Sequence, residues 1–226
     1  MGQTLAEILE AVAAGTFPPD DGTTRIVPQP SYRDAGVVAF TAHSVVFTDE
    51  DPAWVRAALT RTSADSLAAA MSPPFLAALL ARTGRRTDTI DVLSVAAGLA
   101  GPPSLSSSSL SLSSSLSLSL REITDPGHPR VRRALSHRDD VRVWTASGAV
   151  VILGRGVAGR WEVALDVSPE GRDRGLGRAL AVAARHLIPP GEFLWSQVAA
   201  GNARSLRAFS AAGYRPVGAE ALMTPL

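Results

Sequence analysis

The sequence predicts a mixed α/β protein in which two series of strands and helices follow one another along 226 residues. Short β-branched and aromatic runs, typical of strands, alternate with segments whose apolar residues repeat at helical spacing. A tract of only Ser and Leu separates the two series, and such low-complexity tracts mark domain boundaries. We therefore expect an N-terminal α/β domain over residues 1–103, a linker over 104–115 and a second α/β domain, with a mixed sheet, over 116–226.

The composition argues against several classes of protein. The net charge is only +1, whereas nucleic-acid-binding modules usually carry a marked basic excess. Cysteine is absent, so neither disulfides nor thiolate metal sites can form. No apolar run approaches the ~20 residues of a membrane span, and the N-terminus lacks the basic start of a secretory signal. We expect a cytoplasmic protein without a metal, and with neither nucleic acid nor a membrane as a partner.

The N-terminal half shows strand and helix patterns but no motif for chemistry. We predict helices over 5–12, from Pro52, and in two pieces between 65 and 82 that Pro73 and Pro74 separate, and strands over 25–27, 36–40, 44–47 and 89–95. His43 is the lone histidine of this half, and such a residue is more often a structural hydrogen-bonding group than a catalytic one. The run 49–51, Asp-Glu-Asp, is better explained as a solvated helix N-terminus than as a metal cluster.

The C-terminal half repeats the alternation. We predict strands over 116–124, 141–146, 149–153, 160–167 and 193–199 and from Tyr214, turns at 125–127 and 147–148, and helices over 131–136, from Leu176 to Pro189, and from Asn202 to Gly213. Two of the connections are rich in glycine and invite a functional interpretation.

The first glycine-rich connection is a decoy. Residues Gly154–Gly159 spell G-x-G-x-x-G, the dinucleotide-binding fingerprint. That fingerprint must open a helix, but the residues from Arg160 onward have the pattern of another strand. A glycine-rich hairpin turn explains the connection better.

The second connection, Arg172–Arg178, lies where a strand passes into a helix. Its two glycines are two positions apart and have arginines on both sides. Such a loop leaves backbone N–H groups without partners at a helix N-terminus, and the positive end of the helix dipole points to the same place. An anion suits this arrangement, most of all a pyrophosphate. Taken alone, the loop is equally compatible with a helix start that happens to be rich in glycine and arginine.

A second motif decides between these alternatives. Arg172-x-x-Gly175-x-Gly177 is similar to the pyrophosphate loop, R/Q-x-x-G-x-G/A, of the GNAT family of acetyl-CoA-dependent N-acetyltransferases. The segment 202–214, Asn-x-x-Ser-x-x-x-Phe-x-x-x-Gly-Tyr, resembles that family's second CoA-facing motif. Together, with a predicted strand between them, the motifs make residues 116–226 resemble a GNAT domain. Residues 1–103 carry no such motif, and either an unrelated α/β domain or a degenerate second GNAT-like copy is compatible with them.

The resemblance implies acetyl-CoA as the acyl donor. The backbone of the loop would hold the CoA pyrophosphate, and the strand ending at Val167 would splay from the strand beginning at Phe193 to admit the pantetheine arm. The Val167 backbone N–H would polarise the thioester carbonyl. The implied cofactor-binding residues are Asp166, Val167, Arg172, Arg174, Gly175, Leu176, Gly177, Arg178, Asn202 and Ser205.

The catalytic residues depart from the family pattern. The position of the family's usual glutamate base is occupied by Trp161. The adjacent Glu162 is our candidate catalytic base, although it serves only if a bulge turns it toward the substrate. The family's usual general acid, a tyrosine, is matched by Phe209, which carries no proton to donate.

Three hypotheses follow. The first is an N-acetyltransferase that moves an acetyl group from acetyl-CoA to an amine, which the sequence does not identify. The second is a non-catalytic acyl-CoA-binding or sensing module, as Trp161 and Phe209 suggest. The third is a structural interaction protein that binds no CoA.

Overall fold

The computed structural model describes residues 2–62, 65–103, 120–124, 127–146, 148–172 and 174–226. The predicted linker over 104–115 lies outside the described residues, as do the start of the strand predicted over 116–124 and parts of both predicted turns. The chain forms two compact units, Met1–Leu93 with Val217–Leu226 (unit 1) and Ser94–Pro216 (unit 2). The domain boundaries predicted at 103 and 116 flank the undescribed tract and stay predictions.

Helices and strands alternate along both units, which confirms the predicted mixed α/β class. The helices are α1 (Leu5–Ala13), α2 (Pro52–Thr62), α3 (Ser66–Ala69), α4 (Pro73–Thr83), α5 (Pro129–His137), α6 (Leu176–Arg185) and α7 (Ala203–Ala211). The strands are β1 (Thr24–Val27), β2 (Ala35–Phe40), β3 (His43–Phe47), β4 (Arg85–Arg86), β5 (Asp91–Ala97), β6 (Arg121–Ile123), β7 (Asp139–Ala146), β8 (Ala149–Arg155), β9 (Trp161–Val167), β10 (Phe193–Ala199) and β11 (Arg215–Pro225). None of the helices in the described part of the chain has the length and apolar character needed to cross a membrane.

Unit 1 has a mixed sheet in the order β1-β3-β2-β11. Strands β2 and β3 form an antiparallel hairpin, β1 runs parallel to β3, and β2 pairs antiparallel with β11. A buried cluster joins Val37 and Val46 of the hairpin to Phe75 and Leu79 of α4. Helix α4 begins where the sequence indicates, because the Ser72 side chain accepts a hydrogen bond from the backbone N–H of Phe75.

The polar residues of unit 1 that could suggest chemistry have structural partners. His43 is buried, and its Nδ1 lies 3.0 Å from Oδ1 of Asp21. The Asp51 carboxylate accepts the Ala53 N–H at the start of α2, and Glu50 pairs with Arg82 at 2.8 Å. Both structural interpretations from the sequence therefore fit the contacts.

Unit 2 contains a sheet segment in the order β10-β9-β8-β7-β6. Strands β6 to β9 pair antiparallel in succession, and β10 pairs parallel with β9. Helices cover both faces. Alternate residues of β9, Val163 and Leu165, pack in the cluster that contains Leu180 of α6 and Phe209 of α7. Ala164, on the other face, packs with Val131 of α5.

Two helix boundaries in unit 2 differ from the prediction, for local reasons. Helix α5 starts at Pro129, two residues early, because Nδ1 of His128 accepts the Arg130 N–H and caps the helix. Helix α6 stops at Arg185, short of Pro189, because the Arg185 carbonyl oxygen would need the N–H of residue 189, which a proline lacks. That carbonyl oxygen accepts the N–H of Leu99 instead, at 2.8 Å.

Strands β9 and β10 separate partway along their length. Their parallel pairing covers Leu194 with Trp161, Trp195 with Glu162, and Ser196 with Val163. On its other side, β9 stays paired with β8 up to Val167 opposite Ala149. In the described strands, the ends of β9 and β10 therefore lie beside a gap in the sheet, next to the loop that leads into α6.

Candidate functional site

The loop before α6 has the backbone geometry of an anion site. Gly175 is the N-cap of α6 and has φ of 76° and ψ of −3°, a left-handed conformation that favours glycine. Glycine has no side chain with which to cap the helix, and no side-chain capping bond is made there. The first N–H groups of a helix have no intrahelical acceptor, so the start of α6 presents donors and the positive end of its dipole.

Gly177 lies inside the first turn of α6, where glycine disfavours the helix. A Cβ at this position would meet only the Cβ of Ala208, at 3.8 Å, which is an ordinary contact. The protein's own packing therefore does not require glycine at residue 177. Its bare backbone suits a group that approaches from outside.

The loop opens into a cleft of about 810 Å³ that lies within unit 2. Its lining comes from the end of β9, the loop, the start of α6, α7 and the start of α5. Five arginines are among the lining residues: Arg130, Arg172, Arg178, Arg204 and Arg207. Asp166 is the one carboxylate among the described lining residues. A cleft with four more cationic than anionic side chains suits a ligand that carries several negative charges.

The inner part of the cleft is apolar. Leu165 and Val167 of β9 and Phe209 of α7 line it. Tyr214 packs edge-to-face on Phe209, with ring centroids 4.9 Å apart. Its hydroxyl is buried and donates to the Ala181 carbonyl oxygen at 3.2 Å, and burial raises the pKa of Tyr214 far above its usual value. Tyr214 therefore supports the wall of the cleft and is not placed to exchange protons with a ligand.

The asparagine of the second motif begins α7. Asn202 is its N-cap, and its Oδ1 accepts the Ser205 N–H at 3.1 Å. This capping bond explains the spacing of the two residues, which both line the cleft. Arg204 and Arg207 project from the same helix, and their position beside the motif was the signal that could have identified them. Arg130 gave no such signal, because only the fold of unit 2 brings α5 to the cleft.

Most of the predicted cofactor residues meet in this cleft. Those that line it are Asp166, Val167, Arg172, Gly175, Leu176, Gly177, Arg178, Asn202 and Ser205. Arg174 is exposed on the loop and is not among the lining residues, and Asp173 lies outside the described residues. Arg172 has an additional contact, because its Nε donates to the Val167 carbonyl oxygen at 3.2 Å.

Glu162, the candidate base, lies elsewhere. Its carboxylate is buried and accepts hydrogen bonds from Nε of Arg138 and Nε of Arg160, both at 2.9 Å. It also accepts the Val157 N–H at 3.2 Å and a bond from Gln197 at 3.1 Å. Burial by itself raises the pKa of the Glu162 carboxyl, but the charges of Arg160 and Arg138 hold that pKa below its usual value. These contacts fit a structural role better than proton abstraction, for which a higher pKa and free access are needed.

The glycines of the decoy connection are explained by its own contacts. A Cβ on Gly154 would lie 2.9 Å from the Cβ of Arg138, and one on Gly156 would collide with the Glu162 carboxylate. Gly159 has a positive φ of 77°. The segment passes through a 3-10 turn into strand β9, as predicted, so it does not form the helix start that a dinucleotide site needs.

The described residues contain no group of three or more His, Asp or Glu side chains placed to hold a metal ion.

Comparison with known proteins finds a similarity in structure alone. No protein-family model and no curated protein matches the chain.

Two solved structures are similar to the chain. One is a GCN5-related N-acetyltransferase from Kribbella flavida, with 16% identity, 86% of this chain and 90% of that chain covered, and a TM-score of 0.42. The other is assigned to the GNAT family of acetyltransferases and comes from Novosphingobium aromaticivorans DSM 12444, with 17% identity, 63% and 68% covered, and a TM-score of 0.36. Both belong to the family that the two sequence motifs resemble. At these TM-scores the likeness carries no information on the site, whose chemistry follows from its own residues.

Proposed function

We propose that the protein is an N-acetyltransferase that takes its acetyl group from acetyl-CoA and transfers it to an amine. One observation carries the proposal: a glycine-lined helix start, surrounded by arginines, opens onto the gap between β9 and β10. The backbone N–H donors at the start of α6, the positive charge of the arginines and the bare backbone at Gly177 fit a pyrophosphate. The apolar gap beside them fits a narrow, extended chain attached to that pyrophosphate.

Different residues of the cleft would bind different parts of acetyl-CoA. Backbone N–H groups at Gly175, Leu176 and Gly177 would hold the phosphates of acetyl-CoA, and the guanidinium groups of Arg172 and Arg178 would add charge. Bound acetyl-CoA supplies an activated acyl group. The apolar side chains of the inner cleft exclude water, and the backbone at Val167 is the group that we expect to orient the acyl carbonyl.

A non-catalytic acyl-CoA-binding module is the second candidate, and one observation favours it. None of the described lining residues is a tyrosine, histidine or cysteine, the side chains that commonly donate a proton near neutral pH. A leaving thiolate would take its proton from water in the open part of the cleft. Release of thiol separates the two candidates.

The test measures binding and transfer separately. Calorimetry with acetyl-CoA is performed on the parent protein, on Gly177→Glu, which adds a negative charge to the loop, and on Arg132→Gln. Arg132 is exposed on α5 and does not line the cleft, so its variant changes the net charge by the same amount elsewhere. We expect the loop variant to lose binding and the control to keep it. Equal binding by all three proteins would refute the site.

Transfer is followed as thiol released from acetyl-CoA in the presence of primary amines: ethanolamine, benzylamine, spermidine and a peptide with a free N-terminus. Release that depends on an amine supports the transferase. Binding of acetyl-CoA without any release that depends on an amine supports the module, and absence of binding supports a structural interaction protein.

A further inference from the structure

Asp166 differs from its neighbours on β9 in the face of the sheet that it occupies. Leu165 and Val167 pack against the core under α6 and α7. Asp166, between them in sequence, points to the opposite face and meets residues at the start of α5. It nevertheless lines the cleft, because β9 and β10 have already separated at this level. The cleft therefore passes from the face of α6 and α7, where the phosphate donors lie, to the face of α5, where Asp166 lies.

The Asp166 carboxylate is held but remains accessible. Nε of Arg130 lies 3.3 Å from one carboxylate oxygen, and Nε2 of His128 lies 3.7 Å from the other. The side chain of Asp166 is 36% exposed and that of Arg130 is 52% exposed, so the ion pair is weak and an incoming cation can compete with it. The residue opposite Asp166 on the neighbouring strand β8, Val150, carries no charge.

We propose that Asp166 receives the ammonium group of the acceptor amine at the α5 end of the cleft and takes one proton from it. This inference rests on the proposed transferase function. An amine is protonated at neutral pH and cannot attack a carbonyl until it loses a proton. In this step R–NH3⁺ and the Asp166 carboxylate give R–NH2 and the protonated carboxyl, and water in the open cleft then removes that proton.

Asp166 suits this role better than Glu162 does. Glu162 lies four residues earlier on the same face of β9, but it is buried and accepts four hydrogen bonds. Asp166 is the one carboxylate that the described residues place in the cleft. The acceptor would then enter from the face of the sheet that the acetyl donor does not use.

The test compares Asp166→Asn with Asp166→Glu and with a matched control, Glu122→Gln. Glu122 also forms an exposed ion pair in unit 2, with Arg142 at 2.9 Å, but it does not line the cleft. Each variant is assayed for binding of acetyl-CoA by calorimetry and for transfer to whichever of the four amines named above the parent protein uses.

We expect Asp166→Asn to lower the rate of transfer about 100-fold or more, the usual effect of a general base. Its affinity for acetyl-CoA should change less than about threefold, Asp166→Glu should restore part of the rate, and the control should match the parent. Undiminished transfer by Asp166→Asn overturns the proposal, and so does a parallel loss of acetyl-CoA binding, which would place Asp166 in the cofactor site. A parent protein that binds acetyl-CoA but acetylates no amine instead refutes the transferase function itself, and the Asp166 proposal falls with it.

A readout besides activity comes from His128. Its Nδ1 accepts the Arg130 N–H, so the neutral ring carries its proton on Nε2, the nitrogen that faces Asp166. The proton resonances of this ring, assigned by comparison with His128→Gln, report on charge near the carboxylate. In protein saturated with CoA, addition of the amine should shift them in the parent and leave them unmoved in Asp166→Asn. The same shift in both proteins overturns the proposal.

Discussion

The two glycine-rich connections of unit 2 have similar sequences and opposite explanations. In Gly154–Gly159, contacts or backbone geometry within the protein explain each glycine. Arg138 packs closely against Gly154, the Glu162 carboxylate fills the space at Gly156, and Gly159 has a positive φ. In the loop before α6, Gly175 likewise has a positive φ, but Gly177 has helical backbone and room for a side chain. A glycine that the surrounding atoms require is structural. A glycine that they do not require points to a ligand, and four predictions test this contrast.

The largest effect is expected for Glu162→Gln, which removes the negative charge of the carboxylate that packs against the Gly154–Gly159 connection. Arg138 and Arg160 would remain, with side chains only 11% and 5% exposed, facing a neutral amide. Breaking a buried ion pair by removing one partner typically costs about 3–5 kcal/mol of unfolding free energy. Urea denaturation measures the loss. Glu122→Gln is the control, because its exposed pair with Arg142 contributes about 0–1 kcal/mol.

Glu162→Gln also tests the assignment of the base. A loss of transfer with no loss of stability would contradict the structural role of Glu162 and return it to the candidate catalytic residues. Loss of stability with retained transfer, measured below the unfolding temperature, would agree with the contacts seen here.

The same carboxylate should make the fold sensitive to acid. The pKa of Glu162 in the folded protein lies below its ordinary value of 4.5. The stability that the ionised carboxylate contributes is therefore complete above pH 4.5 and is lost as the pH falls through the folded-state pKa. The unfolding free energy of the parent should therefore fall more steeply below pH 4.5 than that of Glu162→Gln. Subtracting the two curves removes the effect of other groups with lowered pKa values, such as Asp21. Parallel curves would contradict the prediction.

A smaller effect is expected for Gly156→Ala. The added methyl group would collide with the Glu162 carboxylate, which Arg138 and Arg160 prevent from moving away. Overpacking of this kind costs about 1–3 kcal/mol. Thermal unfolding measures the cost, and binding of acetyl-CoA should be unchanged, since Gly156 is not a lining residue of the cleft. A variant as stable as its parent would show that the packing does not require this glycine.

Sequence patterns predicted the elements whose causes are local. The strands β2 and β3, the strand β10 over residues 193–199 and the cap at Asn202 follow from residue types and spacing in one segment. The loop before α6 was found for the same reason, because strand, glycines and helix are consecutive.

The parts that the sequence did not predict depend on contacts between distant segments. Helix α5 brings Arg130 to the cleft, and Arg138 fixes Glu162 across 24 residues. Strand alternation alone could not distinguish a buried, ion-paired carboxylate from an accessible one, because both occur with the same periodicity. The roles of Glu162 and Asp166 became separable only when their arginine partners were known.

The most selective test of the contrast is Gly177→Ala, for which stability and binding should change in opposite directions. Alanine favours the helix by about 0.5–1 kcal/mol over glycine, and its Cβ would meet only Ala208 at 3.8 Å, so the variant should unfold at the same temperature as the parent or at a higher one. The same methyl group would keep a phosphate from the backbone N–H. A hydrogen bond to a charged group contributes about 1.5–3 kcal/mol, so affinity for acetyl-CoA should fall about 10- to 100-fold. Calorimetry and thermal unfolding of the same sample give both quantities. A stabilised variant with undiminished affinity would show that the room beside Gly177 is not used by a ligand, and it would remove the distinction between the two loops.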